Sequence, residues 1–323
     1  VREYGFELRV CAILEARRRG VVARQLGAAV ANPGSRVMDV VHVAPGPEYE
    51  QRVALTAETI PRAVVEADVG VARWRPVTAA IGGRPERARA AAERGADIGV
   101  LERERRDGDT VVRRVAPYPA DWFGAVTGIE NKPDLGTPGA LGRQLRTDVA
   151  LGVFDRVILA TASHVTGAHL NRIPDAVGVW EVDPAEEAVT VVQEATALDP
   201  AAAGVEIRAE HAGRTDVAIV DAAAKAAARR RIAERAYGKG WRPDRYPACA
   251  NATADDAGVP WCRYFDRVVD PVVDCGGSCP GHEPATPPAV DVAAIRGDRA
   301  DWDPDPPALA RHQADLTTFG DEG

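Results

Sequence analysis

The chain has 323 residues and a mass of 34.3 kDa, and 46% of its residues are hydrophobic. That is enough to bury a core, which excludes a disordered or collagen-like chain. No apolar run approaches the roughly 18 residues of a membrane span, and VREYGFELRV lacks the basic-then-apolar layout of a signal peptide, so a soluble, cytoplasmic protein is expected. Acidic residues number 48 against 40 basic ones, for a net charge of −8, and Lys occurs only at 132, 225 and 239.

In chain order, residues 3–19 form an expected amphipathic helix, with Phe6, Val10, Ile13 and Leu14 at helical spacing and Gly20 after the basic stop; Glu7, Cys11 and Glu15 share another face. RVMDVVHV (36–43) is β-branched and apolar around Asp39, and predicts a strand ended by Pro45 and Pro47. Residues 48–118 form a separate unit: a helix from Pro85 to Arg94 capped by Gly95, then a hairpin turning at Asp107 and Gly108. A helix followed by a basic hairpin resembles a winged helix. A plain inserted helix and hairpin fits as well.

From 123 to 194 strands alternate with helices: FGAVTGIENK, ALGRQLRTDVALGVF, RVILATA, AHLNRI, VGVWEV and VTVVQEA. This predicts an α/β layer with a largely parallel centre. Residues 201–246 are expected to be a basic helical segment, 247–285 a Cys-rich module, and 286–323 an irregular acidic tail.

The chemistry centres on IENKPDL (129–135). Residues i and i+2 of a strand share a face, so Glu130 and Lys132 stand together. With Asp39 from another strand, the site has two hard oxygen donors suited to Mg²⁺, and Lys132 to orient a water or offset developing charge. Asp121 is a rival for Asp39, at shorter spacing from Glu130.

This order of helix, strand with Asp, strand with Glu-x-Lys, and helix with Gln144 resembles the PD-(D/E)xK nuclease superfamily. The resemblance implies a restriction-endonuclease-like mixed sheet flanked by helices, built from 1–47 and 119–200 and interrupted by 48–118. It implies metal binding by Asp39 and Glu130, catalysis by Lys132, and supporting roles for Gln144 and Glu7, on DNA. Tyr usually follows the Gln by four positions in the RecB-like branch; here Asp148 stands there. The acidic, Ala- and Val-rich, Lys-poor composition looks like that of an extreme halophile, and the whole chain is similar to an uncharacterised family of halophilic archaea.

Cys249, Cys262, Cys275 and Cys279, with His282 nearby, cluster in 31 residues. In a reducing compartment they point to Zn²⁺, or to a 4Fe-4S cluster, or stay free thiols. Some RecB-like nucleases tie an N-terminal Cys to three C-terminal ones around such a cluster, a part open to Cys11. Residues 225–245 carry a local charge of +6. Arg229, Arg230, Arg231, Arg235 and Lys239 could track phosphates while Tyr237 and Trp241 stack on bases, or the segment is a solvated helix face. The expected function is Mg²⁺-dependent DNA phosphodiester hydrolysis; the alternative is a non-catalytic nucleic-acid-binding or regulatory protein that keeps the fold. Oligomeric state is open.

Overall fold

Glu3–Arg17 form helix α1, whose residues from Gly5 to Glu15 are almost all buried. The computed structural model describes residues 2–32, 34–136 and 139–307. Gly20, at φ 107°, turns the chain so closely on Val43 that a Cβ would meet the carbonyl oxygen at 2.1 Å. Strand β1 (Val21–Gly27) and strand β2 (Val37–Pro45) follow as an antiparallel pair.

The inserted unit then runs through helices α2 (Tyr49–Val53) and α3 (Arg62–Val65), strand β3 (Arg75–Pro76), helices α4 (Val77–Ala80) and α5 (Pro85–Asp97), and the hairpin of β4 (Leu101–Arg106) and β5 (Asp109–Arg114). Its sheet has the order β3-β5-β4. Ile60, Val64, Val77, Ile81, Leu101 and Val112 are among the residues of its own core. Asp107 and Gly108 both take positive φ, 49° and 89°, as a two-residue hairpin turn requires. α5 does not stop at Gly95 as expected. It passes through that glycine, where a Cβ would lie 2.7 Å from Leu101 Cδ1, so the residue serves close packing on β4 rather than capping.

The chain returns to the main sheet with β6 (Phe123–Asn131), helix α6 (Leu141–Leu151), β7 (Arg156–Thr161), helix α7 (Gly167–Leu170), β8 (Gly178–Asp183) and β9 (Ala188–Gln193). The six strands lie in the order β1-β2-β6-β7-β8-β9. The β1–β2–β6 and β8–β9 pairs are antiparallel, and β6–β7–β8 is parallel. This is a mixed α/β sheet flanked by helices. One face packs Val22, Val40, Ile129 and Ile158 on Phe6, Leu8 and Ile13 of α1. The other packs Val41, Val126 and Leu159 on Leu145 of α6. Each such fully buried aliphatic or aromatic side chain contributes about 1.5–3 kcal/mol of transfer free energy.

Three expectations about the rest need correction. Residues 201–246 are not all helix: β10 (Gly204–His211) and β11 (Arg214–Val220) form a hairpin turning at Gly213, before helix α8 (Ala222–Lys239). The alternation in VEIRAEH and TDVAIV has period two, which outweighs the charge content that suggested helix. β1, unanticipated in VVARQLG, completes the sheet edge. The acidic tail contains helix α9 (Val292–Arg299), anchored by buried Arg296, whose guanidinium donates to the Tyr237 carbonyl. Before α9, the Cys-rich module folds around short strands β12 (Ala252–Ala254), β13 (Pro260–Cys262) and β14 (Arg267–Val268). Residues 308–323 of the expected tail lie outside the described residues. No helix among the described residues is long and apolar enough to cross a membrane.

Candidate active site

β2 and β6 run antiparallel with Val40 opposite Ile129. One step further along, the register sets Asp39 beside Glu130, at the end of the sheet where Lys132 leaves β6. Asp39 Oδ2 accepts the backbone N–H of Asn131 at 2.9 Å, and Oδ1 accepts Gln25 Nε2 at 3.3 Å. The same Gln25 nitrogen donates to Glu7 Oε2 at 2.7 Å, and Arg24 also donates to Glu7. Gln25 has φ 54°, a strained conformation for a residue with a side chain, and it breaks the β1–β2 ladder where it faces Asp39.

On the other side, Arg36 Nη2 lies 2.6 Å from Glu130 Oε2 and 2.6 Å from Asp148 Oδ2, while Nε donates to Asp148 Oδ1 at 2.9 Å. Glu130, Asp148, Arg36 and Glu7 are all buried. No hydrogen bond reaches Glu130 Oε1 among the described residues. Next door, both polar atoms of the buried Asn131 amide lack a partner.

Burial raises every one of these carboxyls above its ordinary range. Glu130 is pushed up to about 7, first by desolvation and then by the charge of Asp39, with Arg36 opposing. Asp39 is raised by burial against the Asn131 N–H and Arg36; Asp148 is raised by burial against Arg36; Glu7 is raised by burial against Arg24. Four carboxyl groups share two guanidinium partners, Arg24 and Arg36, so the acids outnumber the arginines that hold them.

The structure therefore gathers Glu7, Asp39 and Glu130 into one polar network. Lys132 is half-buried just past β6, its backbone N–H on the Ala160 carbonyl. Gln144 is not in the network: it is half-buried on α6, and the contact comes from Asp148 one turn later. Asp121 precedes β6 at its opposite end, exposed and roughly 30 Å from Glu130 at ~3.3 Å per residue, so it is no rival to Asp39. Sequence reasoning missed Gln25, Arg36 and Asp148. Asp148 was signalled by its helical spacing from Gln144; Gln25 and Arg36 were not.

The proposed stacking platform is corrected outright. Trp241 is 1% exposed and Tyr237 0%, because both rings pack in the core, Trp241 with its indole N–H on Glu15 Oε1 at 2.9 Å. Arg229 is turned inward to Asp155 and the Val153 carbonyl, Arg231 to the Ala29 carbonyl, and Lys239 to the Arg24 and Gln25 carbonyls. Arg230 and Arg235 line a cavity of about 290 Å³ between α8 and α3.

Cys249, Cys262, Cys275 and Cys279 line a single small cavity together with His282. Burial pushes Cys275 up to about 11, and Cys262, Asp274, Cys279 and Cys249 add to the rise. Cys11 is elsewhere, fully buried among the α1 residues. Among the described residues, no group of three or more His, Cys, Asp or Glu side chains is already arranged to hold a metal ion.

Nothing among curated proteins and nothing among solved structures matches the chain. A family profile does match, over residues 21–284, spanning β1, β2 and β6, the inserted unit and all four cavity cysteines. With most of its length covered, the chain belongs to DUF5787, a family of unknown function.

Proposed function

We propose that the chain is a metal-dependent phosphodiesterase acting on DNA, with a restriction-endonuclease-like core of the PD-(D/E)xK type. The observation that carries this reading is the pairing of Asp39 and Glu130 on adjacent antiparallel strands, with Lys132 two residues after Glu130. The surrounding order supports it: α1, the antiparallel β1–β2–β6 meander, then α6 and a parallel β7.

The donor set fits Mg²⁺, which takes one or two carboxylates and completes its shell with waters and phosphate oxygens. Two acids suffice, so a ready group of three is not required. Asp39 and Glu130 Oε1 would hold the ion. When bound it supplies Lewis acidity at the phosphate and a more acidic water. The chain's own residues do the rest. Gln25 and the Asn131 N–H fix Asp39; Arg36, braced by Asp148, fixes Glu130; Lys132 orients the attacking water and offsets charge on the phosphoryl oxygens as the P–O bond to the leaving strand breaks.

The inserted unit fits the same substrate. Its order of helix, strand, two helices and hairpin, with sheet order β3-β5-β4, resembles a winged helix and supports that reading over a plain inserted helix and hairpin. α5 exposes Arg87 and Arg89, Arg84 is exposed just before it, and the hairpin exposes Arg105. These replace α8 as the proposed phosphate-contacting surface.

The test is cleavage of linear double-stranded and single-stranded DNA in high salt with Mg²⁺. Wild type should cut and Lys132→Ala should not, with circular dichroism unchanged, since Lys132 is half-buried and its loss opens no core cavity. Equal activity in both proteins would overturn the catalytic assignment. Arg36 on Glu130 favours a second reading, a site locked by its own guanidinium in a DNA-binding protein. DNA binding by wild type without cleavage in any divalent cation would select it.

A further inference from the structure

Residues 247–285 fold with little apolar support. Three strands of two or three residues make the sheet, and besides the cysteines its buried apolar side chains are small: Pro247, Ala252, Ala257, Val259, Pro260 and Val269. A module of this size is too small to hold itself together by burial and needs a staple. No disulfide is present: all four cysteines are free thiols.

The four cysteines nevertheless line one cavity, with their side chains still too far apart to grip an ion as they stand. Cys249 precedes β12, Cys262 ends β13, and Cys275 and Cys279 lie in the loop after β14, yet all four line one cavity of about 10 Å³. That is room for about one water-sized body. We propose that this cavity is a structural Zn²⁺ site closed by the thiolates of Cys249, Cys262, Cys275 and Cys279.

Several features fit a four-thiolate ion. The Glu283 backbone N–H points at Cys249 Sγ from 3.4 Å, the kind of outer contact that stabilises a ligating thiolate. Asp274, beside Cys275, is clamped by Arg267 at 3.0 Å and by the Asp270 backbone N–H at 3.0 Å, which fixes the entry to the last two ligands. Cys249 and Cys262 are buried, whereas Cys275 and Cys279 are half-buried. Closing a tetrahedron of Zn–S bonds of about 2.3 Å therefore draws in the loop carrying Cys275 and Cys279 and leaves the β12–β13 pair in place. A 4Fe-4S cluster, with eight core atoms, would require the cavity to open, whereas a single ion requires it to close. Cys11 lines no part of the cavity, so the arrangement of one N-terminal and three C-terminal cysteines has no support here.

The site reaches beyond its module, and the inference stands whether or not the chain cleaves DNA. Val268 packs on Gly5 of α1, Asp255 pairs with Arg9 at 2.6 Å, and Ala257 and Val259 belong to the α1 core. The ion would hold the platform on which α1, and with it Glu7, is seated.

The experiment uses the full chain, expressed with zinc and purified without chelator. Elemental analysis should give about one zinc per chain with a colourless protein. Cys275→Ser and Cys279→Ser should bring this near zero, while Cys11→Ser should retain it. Should the serine variants fail to fold, Co²⁺ exchange into wild type should give the intense visible bands of a tetrahedral thiolate site, abolished by competing Zn²⁺. Metal-free wild type that takes up no Co²⁺, equal zinc in wild type and Cys275→Ser, or a brown iron-containing protein would each overturn the assignment.

Discussion

Asp39 Oδ2 accepts the backbone N–H of Asn131 at 2.9 Å, so a side chain of β2 takes over from the strand ladder where β2 and β6 part. The consequence is geometric. Asn131 lies between Glu130 and Lys132, so the bond locks the acid of one strand to the register of the other two. Gln25 adds a second tether from β1, and it does so from a left-handed backbone that a ladder residue would not adopt. Such restraint accords with the proposed role of Asp39, which would have to keep its position before a cation arrives.

The division of labour on α6 gives the first prediction. Asp148→Ala removes both hydrogen bonds from Arg36 and leaves a buried guanidinium held by Glu130 and the Val37 carbonyl. Breaking a buried pair of this kind costs about 3–5 kcal/mol, with the lower end expected because Glu130 remains. Gln144→Ala, outside the network, should stay within about 0.5 kcal/mol. Denaturant titrations of both variants check the contrast; equal costs would return Gln144 to the site.

A second prediction follows from Glu130. Its native value of about 7 lies above the ordinary 4.5, so between those pH values the folded chain keeps a proton that the unfolded chain has released. This contribution to stability is fully present below about 4.5, falls as pH rises, and is lost above about 7. Asp39, Asp148 and Glu7 are raised too and act in the same direction. Without divalent cations, the thermal midpoint should drop between pH 5.5 and 8, and Glu130→Gln should flatten part of that drop. A midpoint that rises across this interval would contradict the direction assigned to these carboxyls.

The strand and helix alternation from 123 to 194 was legible because buried apolar runs and turn residues punctuate it; Asp39, Glu130 and Glu7 were singled out by the nuclease resemblance, since periodicity fixes the face a residue takes on its own element and not its partner on another. Arg36 and Gln25 were not legible. Arg36 lies just before β2 and reaches across to Glu130 and Asp148 on two other elements, and Gln25 gains its role from a backbone twist that no residue type announces. Trp241 misled for a related reason: an aromatic in a basic segment looks available for stacking. Its indole instead seals the core with the help of Glu15, itself held by Arg242 with Nη1 at 2.9 Å. Charge counts along a sequence do not reveal which arginines turn inward.

That correction yields a third prediction. Arg87→Ala with Arg89→Ala, on exposed positions of α5, should weaken DNA binding and reduce the salt dependence of the binding constant by about two, near one for each phosphate no longer neutralised. Folding should be unchanged. Trp241→Ala should instead cost about 3–5 kcal/mol of stability through the cavity it leaves. Binding titrations over a salt series separate the two; an unchanged slope in the double variant would remove α5 from the DNA surface.

The last prediction tests the joint between α8 and the inserted unit. Gly238, near the end of α8, is so close to the loop before α3 that a Cβ would lie 2.1 Å from Thr59 Oγ1 and 2.3 Å from the Thr59 backbone nitrogen. A side-chain tip could swing away, but the backbone nitrogen cannot without moving the loop. That loop is already fixed: Ile60 N–H donates to Glu234 Oε2 at 3.1 Å, and Arg52 holds Glu234 with Nε at 3.0 Å and Nη2 at 2.8 Å while also donating to the Thr56 and Glu58 carbonyls. Tyr118 donates to the same carboxylate at 2.9 Å. Arg52 and Glu234 are both buried, so relief of the clash by displacement of the loop would take the Ile60 N–H from Glu234 and the Thr56 and Glu58 carbonyls from Arg52 inside the core. Ala is a better helix former than Gly by about 1 kcal/mol, and at an open site Gly238→Ala would stabilise α8. Here the steric term wins, and Gly238→Ala should destabilise the whole chain by more than about 3 kcal/mol. Limited proteolysis should show new cleavage between 54 and 61, with the denaturation midpoint lowered. A midpoint equal to or above that of wild type would show that the inserted unit is not seated on α8 through this contact.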